Sequence, residues 1–176
     1  METEIFGLFK PKLAPLGPFE FAAEVEIAKP AGEVYSLIDW ADERHAKRVT
    51  GNKVEAVHGK PDHFRMIMPM MPEFQFMMAV TDAEPHRKYA YDSLIKPQCG
   101  MFAHSHESYE IEDLDVGNCR VTLSLSVTFA EGLLMRDFAE EVAKMAASVQ
   151  STIQKLKLQA EHGAAVAKAI ESNTLI

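Results

Sequence analysis

The positions of apolar and polar residues along the chain predict two regular strands. Residues 19–27 carry apolar side chains at every second position with glutamates between them, and residues 120–129 alternate Val and Leu with Ser and Thr. A period of two residues is typical of a strand that buries one face and exposes the other to water. We therefore predict half-buried strands at Phe19–Ile27 and Arg120–Phe129.

Between these two strands, shorter segments show the same alternation less regularly. The further predicted strands are Val54–His58, Phe64–Met68, Phe74–Thr81, Lys88–Asp92 and His104–Asp113. Residues 84–86 and 115–118 have the composition of turns. The middle of the chain is therefore predicted to be a run of strands joined by short connections.

Helical periodicity appears on both sides of this strand-rich region. Pro30 suits the first turn of a helix, where its missing N–H costs nothing, and an apolar stripe follows over residues 34–38. Asp42–Arg48 is polar, and we expect a second, exposed helix there. From Leu133 to His162 apolar residues recur every three or four positions, which predicts a helix of roughly 45 Å that Gly163 ends.

This order of elements is typical of an α+β protein. Three segments also resemble the START-like superfamily, which is also called SRPBCC or polyketide cyclase/dehydrase-like. They are EVEIAKPAGEVYSLIDW (Glu24–Trp40), VTDAEPHRKYAYD (Val80–Asp92) and YEIEDLDVGNCRVTLSLSVTF (Tyr109–Phe129), the last of which leads into the long helix. The resemblance extends over most of the chain, from Phe19 to His162.

The resemblance implies the helix-grip fold, in which a curved antiparallel sheet of about six or seven strands surrounds a long C-terminal helix and an apolar cavity. Two short helices follow the first strand, and Arg120–Phe129 pairs with Phe19–Ile27. The expected domain spans residues 19–162, after an arm at 1–18 and before a tail at 163–176. Members of this superfamily share no catalytic residue set, so the resemblance predicts a cavity and leaves its chemistry open.

Composition and charge narrow the range of partners. The 176-residue chain is 47% hydrophobic and has a formal net charge of −8. An acidic surface repels phosphate, and no segment approaches the roughly 20 apolar residues that cross a bilayer, so we predict neither a nucleic-acid partner nor stable membrane insertion. Cys99 and Cys119 form no metal-ligand motif, and we interpret them as reduced thiols in a cytoplasmic protein without a cofactor.

Methionine is the unusual residue of this sequence, with seven of the ten methionines between residues 66 and 101. Flexible thioethers line adaptable apolar pockets, and they equally fill a soft core. Met68–Phe74 is apolar and interrupted by prolines, so we expect an irregular loop over the mouth of a cavity. The predicted cavity residues are Phe64, Met66, Met68, Met71, Phe76, Met78, Tyr89, Tyr91, Phe138, Val142 and Met145.

Three residues of the strand His104–Asp113 are weak candidates for chemistry. His104 and His106 share one face, as a pair of metal ligands would, but no third ligand is identifiable and we predict no metal site. Glu107 shares the other face with Tyr109, which favours an inward orientation, although a carboxyl near a strand end more often reaches solvent. A buried carboxyl has a raised pKa and can act as a general acid or base.

Three functional hypotheses follow. The first is binding or transport of a hydrophobic small molecule, such as a lipid, an isoprenoid, a quinone or a polyketide. The second is a cyclase or dehydratase that uses Glu107, His104 or His106 as acid or base. The third is a protein-interaction module whose apolar arm, Ile5–Phe9, and C-terminal tail bind a partner. For the arm by itself, we favour docking on its own domain over a contact with a second copy of the chain.

The interior of the sheet discriminates between these hypotheses. An open cavity without convergent polar groups favours the binder. A carboxylate and an imidazole within hydrogen-bond reach of each other favour the enzyme, and a filled interior favours the interaction module.

Overall fold

The computed structural model describes residues 11–173, which form one antiparallel sheet and a set of helices. The strands are β1 (Phe19–Ile27), β2 (Lys53–Ala56), β3 (His63–Met68), β4 (Met71–Glu84), β5 (Lys88–Lys96), β6 (Phe102–Asp115) and β7 (Asn118–Phe129). Their order in the sheet is β1-β7-β6-β5-β4-β3-β2. From β2 to β7, each strand therefore pairs with the next one along the chain, and β1 pairs with β7 at the edge of the sheet opposite β2.

The pairing of β1 with β7 confirms the expected closure of the sheet. The register runs from Phe19 opposite Val127 to Ile27 opposite Cys119. The apolar positions of both strands face the same side, where Val121, Leu123 and Val127 are at most 1% exposed. The period-two pattern of the sequence thus sets which face of this edge of the sheet is buried.

The helices are α1 (Ala31–Ile38), α2 (Ala46–Val49), α3 (Met135–His162) and α4 (Ala164–Asn173). α3 packs against β1 and β7 and buries Val149, Ile153 and Leu156. It ends where the backbone of Gly163 adopts a φ of 87° and its N–H donates to the Gln159 carbonyl at 2.8 Å. The α+β helix-grip fold that the sequence predicts is confirmed.

The prediction of an exposed second helix at Asp42–Arg48 is wrong in two respects. α2 is a single turn, and His45, at its N-terminus, is only 3% exposed. The imidazole stacks on Trp40 with 3.9 Å between ring centroids, and its Nδ1 accepts the backbone N–H of Lys47. This tertiary contact buries a polar residue in a segment whose local sequence is hydrophilic.

The segment Met68–Phe74 is also not the irregular loop that its prolines predict. Strand β4 begins at Met71, directly after a two-residue turn, and Met68 pairs with Met71 across the hairpin. Pro72 is exposed, in a part of β4 that precedes its first pairing with β5. A proline is tolerated where no partner strand needs its N–H.

The described part of the N-terminal arm docks on its own domain. The Ala14 N–H donates to the Leu133 carbonyl at 2.8 Å, and the Phe129 N–H donates to the Leu16 carbonyl at 2.7 Å. Ile5–Phe9, the apolar segment of interest for a partner, lies outside the described residues. Among the residues that are described, no helix has the length and apolar composition needed to cross a bilayer.

Candidate ligand-binding cavity

A cavity of about 280 Å³ lies between the inner face of the sheet and helix α3. Strands β3 to β6 form its floor, α3 and α4 form one side, and the segment from the end of α1 through α2 forms another. The lining residues are Leu37, Ile38, Trp40, His45, Ala46, Lys47, Thr50, Met66, Met68, Phe76, Met78, Tyr91, Ser93, Glu107, Tyr109, Ser148, Thr152, Lys155, Leu156, Gln159 and Ala167.

The apolar floor of the cavity is built by neighbouring strands. Met66 and Met68 project from alternate positions of β3, and Phe76 and Met78 do so from β4. The register places Met66 opposite Phe76, so their side chains lie on the same face of the sheet. Met66 and Met78 are 6% and 3% exposed. A floor of this kind presents flexible, polarizable surface to a bound molecule.

Six further residues that the sequence assigns to the cavity are not among its lining residues. Phe64 and Tyr89 are buried in the core, and the Tyr89 hydroxyl oxygen accepts the backbone N–H of Trp40 at 3.1 Å. Met71 lies at the start of β4, beside the hairpin turn. Phe138, Val142 and Met145 pack, partly buried, against the core from the N-terminal half of α3.

A polar cluster interrupts the apolar lining on β5 and β6. Tyr91 and Glu107 are directly opposite each other in the sheet, and the Tyr91 hydroxyl donates to Glu107 Oε2 at 2.7 Å. Burial raises the pKa of Glu107, although the hydrogen bond from Tyr91 acts to lower it. Burial also raises the pKa of Tyr91 and Tyr109, so both hydroxyls stay protonated at neutral pH. The cavity therefore contains a carboxyl group that holds its proton to a higher pH than a carboxyl in water.

His104 and His106 lie on the opposite face of β6 from Glu107. His104 is exposed, and His106 Nδ1 is 2.7 Å from Asp92 Oδ1 at the protein surface. Among the side chains that the structure describes, no group of three His, Cys, Asp or Glu is arranged to hold a metal ion. The structure thus brings Glu107 into the cavity with Tyr91 and leaves both histidines outside it.

Residues 40–50 form a wall of the cavity, and none of them is among the cavity residues predicted from the sequence. The Trp40 ring stacks on His45 and meets Tyr91 edge-on, with 5.6 Å between the Trp40 and Tyr91 ring centroids. Arg48 donates to the carbonyls of Trp40 and Val54, which holds the segment against the sheet. Burial lowers the pKa of His45 to about 3, with smaller contributions from Lys47 and Arg48. His45 is therefore a neutral wall residue at physiological pH.

Helix α3 contributes one face to the cavity, formed by Ser148, Thr152, Lys155, Leu156 and Gln159. The mixture of polar and apolar side chains hides this face from a search for hydrophobic periodicity. Two cavity residues, Trp40 and Gln159, carry a buried N–H that has no hydrogen-bond acceptor among the residues with described side chains, 11–169.

Comparison with known proteins identifies the fold. No protein-family model and no curated protein matches this sequence. The crystal structure of DynU16, from the dynemicin biosynthetic locus, is 15% identical with a TM-score of 0.59 over 82% of this chain. Only 48% of DynU16 is covered, so this chain spans about half of that protein's length.

Two further crystal structures match over nearly their whole length. Ara h 8.0201 is 11% identical with a TM-score of 0.58, covering 80% of this chain and 98% of that protein. The Zhui aromatase/cyclase from Streptomyces sp. R1128 is 17% identical with a TM-score of 0.57, covering 82% and 96%. Identities this low define the fold and not the chemistry.

The chain therefore shares the fold of these three proteins, which agrees with the helix-grip fold that the sequence resemblance implies. Its cavity combines an apolar floor of Met66, Met68, Phe76 and Met78 with the Tyr91–Glu107 pair and the stacked rings of Trp40 and His45.

Proposed function

We propose that this protein binds a hydrophobic small molecule in the cavity between the sheet and α3. The observation that carries the proposal is the cavity itself, which has a continuous apolar floor of Met66, Met68, Phe76 and Met78. An apolar cavity without a ligand forgoes dispersion contacts, and native interiors seldom leave such space unfilled. Its volume of about 280 Å³ is slightly below the roughly 300–1,000 Å³ of sites for drug-sized ligands, so we expect a compact molecule rather than a long lipid chain.

The first test is recovery of the native ligand. Protein purified from its own host is analysed by native mass spectrometry, and the bound material is extracted and identified. The expected result is a stoichiometric apolar molecule that is released by organic solvent. The ligand-free protein should then bind the uncharged dye 1-aminoanthracene with enhanced fluorescence.

A pair of matched substitutions then locates the binding site. Met78→Trp fills the cavity and should weaken dye binding at least about tenfold while the protein stays folded, because a true void accepts the larger ring. Met77→Trp makes the same change at a neighbouring position that does not line the cavity and should leave dye affinity unchanged. A native protein that neither carries a ligand nor binds the dye would exclude this function.

The second candidate function is an enzyme of the cyclase or dehydratase type with Glu107 as its acid or base. The observation that favours it is a half-buried carboxyl that lines the cavity, accepts a hydrogen bond from Tyr91 and has a raised pKa. Such a group can give a proton to a ligand oxygen or accept one from an acidic carbon. The recovered ligand should then be converted by the native protein, and Glu107→Gln should retain binding but lose conversion.

A further inference from the structure

Two buried nitrogen donors at the cavity wall have no acceptor among the residues whose side chains the structure describes, 11–169. They are Trp40 Nε1 and Gln159 Nε2, on residues that are 4% and 6% exposed. Both residues line the same cavity, one from the segment after α1 and the other from α3. A buried donor without a partner has given up its hydrogen bond to water, so native proteins rarely leave one unsatisfied.

The position of Trp40 is held by several contacts. Its ring stacks on His45, its backbone N–H donates to the Tyr89 hydroxyl, and its carbonyl accepts from Arg48. The indole therefore cannot readily turn to find another acceptor. An indole nitrogen only donates, whereas the amide of Gln159 can present either its NH₂ or its oxygen. Trp40 thus determines that the missing partner is an acceptor.

Resting on the proposed function, we infer that the bound molecule carries an oxygen acceptor, such as a ketone or an ether oxygen, that Trp40 and Gln159 recognise. The apolar body of the ligand lies on the floor of Met66, Met68, Phe76 and Met78, and its oxygen faces Trp40 and Gln159. Selectivity between an oxygenated ligand and its hydrocarbon analogue then depends on these two donors.

The test uses two probes of nearly equal shape, 2-acetylnaphthalene and 2-ethylnaphthalene. The first carries a ketone oxygen and the second does not, so the ratio of their affinities reports the hydrogen bonds and cancels most of the apolar contact. Isothermal titration calorimetry gives both dissociation constants for the full chain. The same pair is measured for Trp40→Phe and Gln159→Leu, each of which removes one donor and keeps most of the apolar volume.

The expected result is a change in the ratio and not only in the affinities. Each variant should lose about two- to tenfold in affinity for 2-acetylnaphthalene relative to 2-ethylnaphthalene, the effect of one hydrogen bond. Gln154→Leu makes the same chemical change at an exposed position of α3 that does not line the cavity, and its ratio should equal that of the native protein. Gln159→Leu should fold normally, since it replaces an unpartnered polar group by an apolar one.

The outcomes separate this inference from the proposed function. If both probes bind and neither variant changes the ratio, the donors do not recognise the ligand and the inference is overturned, while the cavity remains a binding site. If neither probe binds the native protein, the proposed function fails, and the inference fails with it.

Discussion

The Tyr91 hydroxyl lies 2.7 Å from Glu107 Oε2, on adjacent strands inside the cavity. Because the two residues are directly opposite each other in the register of β5 and β6, the sheet itself fixes the pair. Burial raises the pKa of Glu107 in spite of this hydrogen bond. The cavity therefore contains a titratable group whose effect on stability has a definite sign.

Glu107→Gln should become more stabilising, relative to the native protein, as the pH rises. The folded pKa of Glu107 lies above its ordinary value of 4.5, so the folded protein holds this proton more tightly than the unfolded chain does. The stability that this group contributes is complete below the ordinary pKa of 4.5 and is lost as the pH rises through the pKa of the folded protein. Gln is uncharged throughout and carries no such loss.

Urea denaturation between pH 4 and pH 8 measures this difference in the free energy of unfolding. Glu110→Gln, on the exposed outer face of the same strand, controls for the removal of one negative charge. A difference for Glu107→Gln that stays constant across this range would contradict a raised pKa of Glu107 in the folded protein.

His45→Phe should reduce the loss of stability in mild acid. Burial lowers the pKa of His45 from 6.5 to about 3, so between these pH values the unfolded chain binds a proton that the folded protein does not bind. The corresponding stability is complete above about pH 6.5 and declines by ~1.4 kcal/mol for each pH unit below it. Phe keeps a ring against Trp40 and has no proton to bind.

Denaturation of the native protein and of His45→Phe between pH 7 and pH 5 tests this expectation. The native protein should lose more stability over this interval than the variant. His63→Phe, a histidine that is only partly buried, serves as the comparison. Parallel curves for the native protein and His45→Phe would show that His45 is not held neutral in the folded state.

How much of the molecule could be predicted depends on whether a contact leaves a local pattern. β1 and β7 are visible in the sequence because each has one wet and one buried face, which imposes a period of two. His45 is buried by stacking on Trp40, a contact that the polar run around it does not reveal. Gln159 lines the cavity from a helix face that mixes polar and apolar residues, so hydrophobic periodicity does not find it. The floor of the cavity was therefore predictable in part, and its walls were not.

Phe138→Ala should destabilise the domain by about 2–3 kcal/mol, less than the 3–5 kcal/mol typical of a fully buried ring. The Phe138 ring centroid is 5.1 Å from that of Phe19 and 6.3 Å from that of Phe129, and the side chain is only partly buried. Its removal weakens the attachment of the N-terminal half of α3 to the sheet. Chemical denaturation measures the effect. Lys144→Ala, on the exposed face of α3, should leave the midpoint unchanged, and equal effects of the two variants would mean that the other face of α3 packs on the sheet.

Ala167→Glu should speed the release of a ligand from the cavity. Ala167 is 2% exposed and, among the described side chains of α4, is the one that lines the cavity. A carboxylate without a partner is unfavourable at such a site, so α4 should move away and leave that side of the cavity open. Ala165→Glu makes the same change two residues earlier, at an exposed position of the same helix, and should have no effect.

Stopped-flow displacement of bound 1-aminoanthracene measures the rate of release. It is expected to be about tenfold faster for Ala167→Glu, since changes at a binding site act mainly on dissociation. Equal dissociation rates for the two variants would show that α4 does not control access to the cavity.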